Sequence, residues 1–211
     1  MHGWQNIEAW IASKPDKNAD FWILDKERAG GGVVVSLLVH YIDLLRFLFG
    51  TDYLEVSARG RFDPPFKNGA ESSATALLTT VDGATGTLHG NYLARRTPWN
   101  ESFKAFGEYG VLGNHPAAFG DYDGPVFHGS SHGREPLKWE DQYGGVGPLS
   151  PDAADGLDSD PFVNQLREFV SAIREGREPE SSLRINMNTL ATIEALYESM
   201  ANKGRAVEVA R

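Results

Sequence analysis

The order of patterns along the chain predicts an α+β fold: an open, mostly antiparallel β-sheet with helices on one face. Three observations predict it. The run Ala29 to Gly50, opened by three glycines and closed by one, is apolar at nearly every position, which is the composition of a helix buried on most sides. Asp82-Gly83 separates two β-like segments, Ser73 to Val81 and Thr85 to Ala94; this is a hairpin signal, because glycine tolerates positive φ. Two amphipathic segments and a β-rich end, Ala206-Val207-Glu208-Val209, close the chain. With 211 residues, 41% of them hydrophobic, a sizeable core is available and disorder is not expected. We read residues 1–211 as one domain carrying an irregular insertion at about 113–158.

The elements follow in order. Residues 4–13 read as a short helix, with Trp4, Ile7 and Ile11 on one side. A polar loop containing Pro15 leads to the apolar cluster Phe21-Trp22-Ile23-Leu24, and the buried helix comes next, with Gly50 as its stop. Leu54 to Phe62 reads as a strand broken by Pro64-Pro65. In the second strand of the hairpin, Gly86, Leu88, Gly90 and Tyr92 share one face. Thr85, Thr87, His89 and Asn91 share the other, which the pattern marks as wet or functional. Ser102 to Phe106, a turn at Tyr109-Gly110 and Val111-Leu112 form a further hairpin. Gly113 to Asp158 is rich in Gly, Pro, Asp and His and is expected to be irregular, with two short strands. Asp160 as N-cap and Pro161 at the first helical position open a helix striped by Phe162, Leu166, Phe169, Val170 and Ile173 and ended by Gly176. The last helix carries Leu190, Ile193, Leu196, Tyr197 and Met200 and stops near Gly204.

Composition narrows the function. Lys plus Arg is 20 against 29 for Asp plus Glu, a net charge of −9 without basic clusters, which argues against nucleic acid and anionic membranes as partners. The absence of cysteine excludes disulfides, thiolate metal sites and thiol nucleophiles, and is compatible with the cytoplasm, where we expect the protein. Met1-His2-Gly3-Trp4 does not begin a signal peptide. The run Val33 to Phe49 is short for a membrane span and holds His40, Asp43 and Arg46, which are costly in lipid, so we read it as a core helix.

Within that helix Ser36, His40 and Asp43 stand at spacings of four and three, which places them on one face of an α-helix. His40 is the sharpest candidate for chemistry, because an imidazole is easily tuned for proton transfer. Ser36 is no acyl-transfer nucleophile, lacking a strained turn and an oxyanion hole. Gly30-Gly31-Gly32 could cradle a phosphate at a helix N-terminus, but no Gly-Lys-Ser/Thr follows, and we favour close backbone approach. His115, His128 and His132 lie with Asp121 and Asp123 in the irregular region, but Phe127 to Gly133 is not helical in character, so the i, i+4 spacing of His128 and His132 builds no shared face and no metal is expected. Arg95 and Arg96, after the hairpin, and Asn91 are candidates to hold a polyhydroxylated or anionic ligand, with Trp99 placed to stack on a sugar ring.

Gly30-Gly31-Gly32-x-x-x-Ser36-x-x-x-His40-x-x-Asp43-Leu44-Leu45-x-x-x-x-Gly50 resembles the hallmark of the Gfo/Idh/MocA oxidoreductases, roughly G-G-G-x-L-x-D-x-G-x-H-x-x-D-L. Asp82-Gly83, Tyr109-Gly110, Asp160-Pro161-Phe162, Gly176-Arg177-Glu178-Pro179 and Glu194-Ala195-Leu196-Tyr197-Glu198-Ser199 fit the same family in the same order. The resemblance implies a dihydrodipicolinate-reductase-like C-terminal domain with an open sheet that often forms a dimer. It also implies an NAD- or NADP-dependent enzyme acting on a sugar, polyol or related small molecule.

In that family a Rossmann domain precedes this one and carries the cofactor and a catalytic Lys. The chain reads as the substrate and oligomerisation domain only, so no cofactor is expected on it alone and it is expected to be inactive alone. His40 takes the place of the family's acid/base histidine. Ser36 falls where the family has Asp and Leu38 where it has Gly; a serine cannot supply the negative charge that holds an imidazolium. The competing expectation is a non-catalytic dimerisation or ligand-binding protein derived from this domain.

Overall fold

The computed structural model describes residues 2–4, 7–13, 21–94, 100–108, 110–114, 126–130, 147–148 and 161–210. Strand β1 (His2–Trp4) precedes helix α1 (Ile7–Ala12). The helix expected over 4–13 therefore starts later, and Trp4 belongs to a strand. A three-residue strand has no period to read, and β1 exists because β4 (Thr85–Asn91) and β5 (Asn100–Ser102) offer it a partner on each side.

Glycine breaks the apolar run of residues 29–50 as well as bounding it. Helix α2 (Lys26–Ala29) is capped by Asp25, whose carboxylate accepts the Glu27 N–H, and ends at Gly30, which is left-handed with φ 85°. Gly31 and Gly32 follow. Val34–Leu38 then forms a π-helical turn, with the Val39 N–H donating to the Val34 carbonyl five residues back, before α3 (Val39–Phe49) continues to Gly50 at φ 67°. Lys26–Phe49 is long and apolar enough to cross a membrane. In the fold it is a core helix, with Val33, Val34, Leu37, Leu38, Tyr41, Ile42 and Leu45 all buried.

The main sheet has six strands in the order β10-β2-β3-β4-β1-β5. Strands β2 (Tyr53–Arg61), β3 (Ser73–Thr80) and β4 pair antiparallel, and only β1 with β4 is parallel. Val56, Ala58, Ala76, Leu78 and Leu88 point into one core with the apolar face of the π turn and α3. Gly90 lets that helix approach, since a Cβ there would collide with the Leu38 side chain. The other face stays open, as the alternation of β4 predicts: Arg59, Thr75 and His89 form one cross-strand row, and Ser57, Leu77 and Thr87 the next. A second, four-stranded antiparallel sheet runs β6 (Lys104–Gly107), β7 (Gly110–Asn114), β8 (Val126–Ser130) and β9 (Gly147–Pro148). The two short strands expected in the irregular region are β8 and β9; most of that region lies outside the described residues.

Helix α4 (Pro161–Glu175) begins at Pro161 as expected, while Asp160 lies outside the described residues. Helix α5 (Leu183–Ala201) is capped by Ser182, which accepts the Ile185 N–H. Its buried side differs from the apolar stripe of the sequence. Leu190 is exposed, and Asn188, Thr189, Thr192 and Ser199 are buried. For Asn188 and Ser199 the reason is the edge of β2, which the two residues of β10 (Val207–Glu208) cover only in part; Thr189 donates to Asp43 and Thr192 to the Asn188 carbonyl of its own helix. Asn188 accepts the Tyr53 N–H at 3.0 Å, and Ser199 accepts the Ala58 N–H at 2.8 Å while donating to the Arg205 carbonyl. Buried polar side chains thus satisfy strand backbone that would otherwise be unpaired.

Candidate functional site

The site is built where the broken helix starts. A helix leaves its first N–H groups unsatisfied, and one residue from the sheet side takes three of them. The Glu71 carboxylate accepts the Gly32 N–H at 3.0 Å and the Val34 N–H at 2.8 Å, and the Glu71 carbonyl accepts the Val33 N–H at 3.0 Å. The Tyr197 hydroxyl donates to the same carboxylate at 3.0 Å. Glu71 is fully buried. Burial raises its carboxyl pKa, and the hydrogen bonds from Val34, Tyr197 and Gly32 oppose that rise. Burial and the neighbouring Glu71 charge raise the Tyr197 phenol strongly, keeping it a donor. Gly31 and Gly32 fit this junction for steric reasons: a Cβ on Gly31 would strike the Tyr197 hydroxyl, and one on Gly32 the Glu71 backbone. Close approach is thus how Gly31 and Gly32 are used, while Gly30 supplies the left-handed end of α2.

The π turn separates the residues that an ideal α-helix would align. Ser36, inside the turn, donates to the Gly32 carbonyl at 2.6 Å and lies 2.9 Å from the Tyr92 hydroxyl. With its one proton on Gly32, Ser36 accepts from Tyr92. Burial raises the Tyr92 phenol, and its ring stacks on Phe66 at 6.0 Å between centroids. His40 and Asp43 instead line an open groove of about 1500 Å³ between α3 and the start of α5. His40 is exposed there. Asp43 accepts from Thr189 at 3.1 Å and lies 3.7 Å from Arg46, which also pairs with Asp52 at 3.0 Å. Phe47, Met187 and Leu190 form an apolar rim, and Glu194 adds a carboxylate. An exposed imidazole on such a wall can take or give a proton to a hydroxyl placed in the groove.

The other sequence candidates fall elsewhere. Asn91 sits on the face of β4 opposite Gly90 and Leu38, and its side chain accepts the Leu93 N–H at 2.7 Å. The structure therefore does not bring Asn91 to His40. Arg95, Arg96 and Trp99 lie outside the described residues, as do His115, Asp121, Asp123 and His132. His128 lies on β8, paired with Leu112 and Gly147. Among the described residues no group of three or more His, Asp or Glu side chains is placed to hold a metal ion. Sequence reading missed Glu71, Tyr92 and Tyr197 at the helix start and Thr189 beside Asp43. The one available signal was a lone acid, Glu71, in the Gly69-Ala70-Glu71-Ser72 segment leading into a strand.

Residues 5–113, about half of the chain, match the GFO/IDH/MocA C-terminal domain family. D-apiose dehydrogenase from Paraburkholderia graminis is 29% identical over 185 residues, 84% of this chain and 44% of that protein. Among solved structures, levoglucosan dehydrogenase in complex with NADH superposes with a TM-score of 0.76 at 17% identity, over 100% of this chain and 57% of its own. Aldose-aldose oxidoreductase from Caulobacter crescentus, complexed with glycerol, superposes with a TM-score of 0.70 at 22% identity, over 98% and 53%. The chain therefore spans about half the length of the proteins it matches, and the likeness to the solved structures is one of fold.

Proposed function

The chain belongs to the Gfo/Idh/MocA oxidoreductase family through its C-terminal domain, and on that premise we propose that it is the substrate-binding and oligomerisation part of an NAD- or NADP-dependent enzyme that oxidises or reduces a sugar, polyol or related small molecule. The observation that carries this reading is His40, exposed on the groove at the position of the family's acid/base histidine. Its proposed role is to exchange a proton with a substrate hydroxyl while hydride passes to or from a nicotinamide held by another domain. The groove is open, and apolar side chains surround it: Phe47 is 76% exposed, Met187 56% and Leu190 47%. Such a rim suits a wall closed by a second domain better than a self-contained pocket. The open rows of Arg59, Thr75 and His89 and of Ser57, Leu77 and Thr87 supply the surface for self-association.

A non-catalytic descendant of the domain is the second reading. It is favoured by Ser36, whose hydroxyl is engaged by Gly32 and Tyr92 at the position where the family carries a carboxylate. One assay separates the two. The chain is incubated with NAD or NADP and a panel of aldoses and polyols, alone and joined to the nucleotide-binding domain of a full-length family member. The expected result is no cofactor turnover by the chain alone and substrate-dependent turnover by the joined protein, lost with His40→Asn. Turnover by the chain alone, or turnover that His40→Asn leaves intact, contradicts the proposal.

A further inference from the structure

We infer that Glu71, clamped with Tyr197 against the start of the π turn, is the positioning residue that aims His40 into the groove; the inference rests on the reading of His40 as the substrate-facing group. Each residue advances an α-helix by about 100°, so a turn that holds one extra residue changes the direction of everything after it. His40 is the second residue of α3, immediately beyond that turn. Were Val34–Leu38 to relax to ordinary α-helix with its start held, His40 and Asp43 would swing together by about that angle, out of line with Met187 and Leu190 on α5.

The turn is held from its first residues. Gly32, Val33 and Val34 donate their N–H groups to Glu71 alone, two to the carboxylate and one to the carbonyl. Tyr197, from α5, fixes the carboxylate from a third direction. The start cannot slide, because Gly31 lies against the Tyr197 hydroxyl and Gly32 against the Glu71 backbone with no room for a Cβ. A negative group at a helix N-terminus is also favoured by the helix dipole. Glu71 thus joins α5, the strand side and the helix that carries His40 at one buried carboxylate, without touching the groove.

The chosen substitution is Glu71→Gln. It keeps the shape but turns a donor amide toward one of the two N–H groups. Tyr197→Phe removes one of the carboxylate's donors and leaves both N–H bonds. The readout is the His40 ring resonances in isotope-labelled chain, assigned with His40→Asn. Val56→Ala, a truncation elsewhere in the core, serves as a control matched for loss of thermal midpoint. The expected result is displaced His40 resonances in Glu71→Gln, a smaller displacement in Tyr197→Phe, and wild-type resonances in Val56→Ala. Should Glu71→Gln fail to fold, Tyr197→Phe against the control decides. Unchanged resonances in the clamp variants, or an equal change in Val56→Ala, overturn the inference. No turnover is needed, so this outcome is distinct from failure of the proposed activity.

Discussion

Ser36 and Tyr92 share a hydroxyl–hydroxyl hydrogen bond of 2.9 Å in which Tyr92 is the donor, because the Ser36 proton is committed to the Gly32 carbonyl. The direction of that bond makes the pair asymmetric to mutation. Tyr92→Phe leaves Ser36 bonded to Gly32 and is expected to cost about 0.5–1.5 kcal/mol in denaturant unfolding. Ser36→Ala strands the buried Tyr92 hydroxyl and is expected to cost more, about 1–3 kcal/mol. Equal costs for the two variants would contradict this asymmetry.

Gly31 and Gly32 at the helix start are held by steric contact, so alanine substitution separates that junction from a glycine in an ordinary strand position. Gly32→Ala drives a Cβ into the Glu71 backbone and is expected to destabilise by about 1–3 kcal/mol or more. Gly86→Ala meets only Phe49 and Leu45 side chains at 3.6–3.9 Å and is expected to fall within about 1 kcal/mol of the parent. Thermal midpoints of the two variants check this. A tolerated Gly32→Ala would contradict the junction described here.

The orientation of the core helix predicts opposite results for two large side chains. Leu38→Ala removes a buried side chain packed at Gly90 and is expected to cost about 2–5 kcal/mol. Phe47→Ala, at the exposed rim of the groove, is expected to shift stability by no more than about 0.5 kcal/mol. Chemical denaturation of both variants measures the contrast.

Acid stability reports the Arg177–Glu168 pair. Hydrogen bonds from Arg177 and from the Glu180 N–H hold the Glu168 carboxyl at about 2, against an ordinary 4.5. A carboxyl held low in the folded state contributes stability above its unfolded value and loses it as the pH falls through the folded value. The gap in thermal midpoint between wild type and Arg177→Met is therefore expected to be present near neutral pH, to narrow below 4.5 and to close near 2. A gap independent of pH would assign the effect of Arg177 to packing.

Much of this fold was legible because its strongest signals are local. The Asp82-Gly83 turn, the alternation of Leu88, Gly90 and Tyr92 against Thr87 and His89, and the helix stop at Gly50 each depend on a few adjacent residues. What was not legible depends on partners distant in sequence. Asn188 and Ser199 are polar residues with no apolar pattern to mark them, yet they are buried because the backbone of β2 needs acceptors there, and Thr189 is buried against Asp43 of α3. The π turn has no pattern of its own. Its residues suit an α-helix, which would put Ser36 and His40 on one face, whereas Glu71, 31 residues beyond His40, bonds the start of the turn that separates them. His40 itself is legible in the sequence as a polar residue on an apolar helix, and its exposure on a groove only in the structure.

In the proposed enzyme His40 and its groove form the substrate-facing wall of a sugar- or polyol-binding site. The most direct test is a titration of isotope-labelled chain with a panel of aldoses and polyols, followed at the six histidine rings. At least one ligand is expected to move the His40 resonances saturably while leaving His89, on the open face of the sheet, unchanged, with the binding weakened in His40→Asn. Ligands that leave His40 unmoved, or that move only His89, would contradict that role.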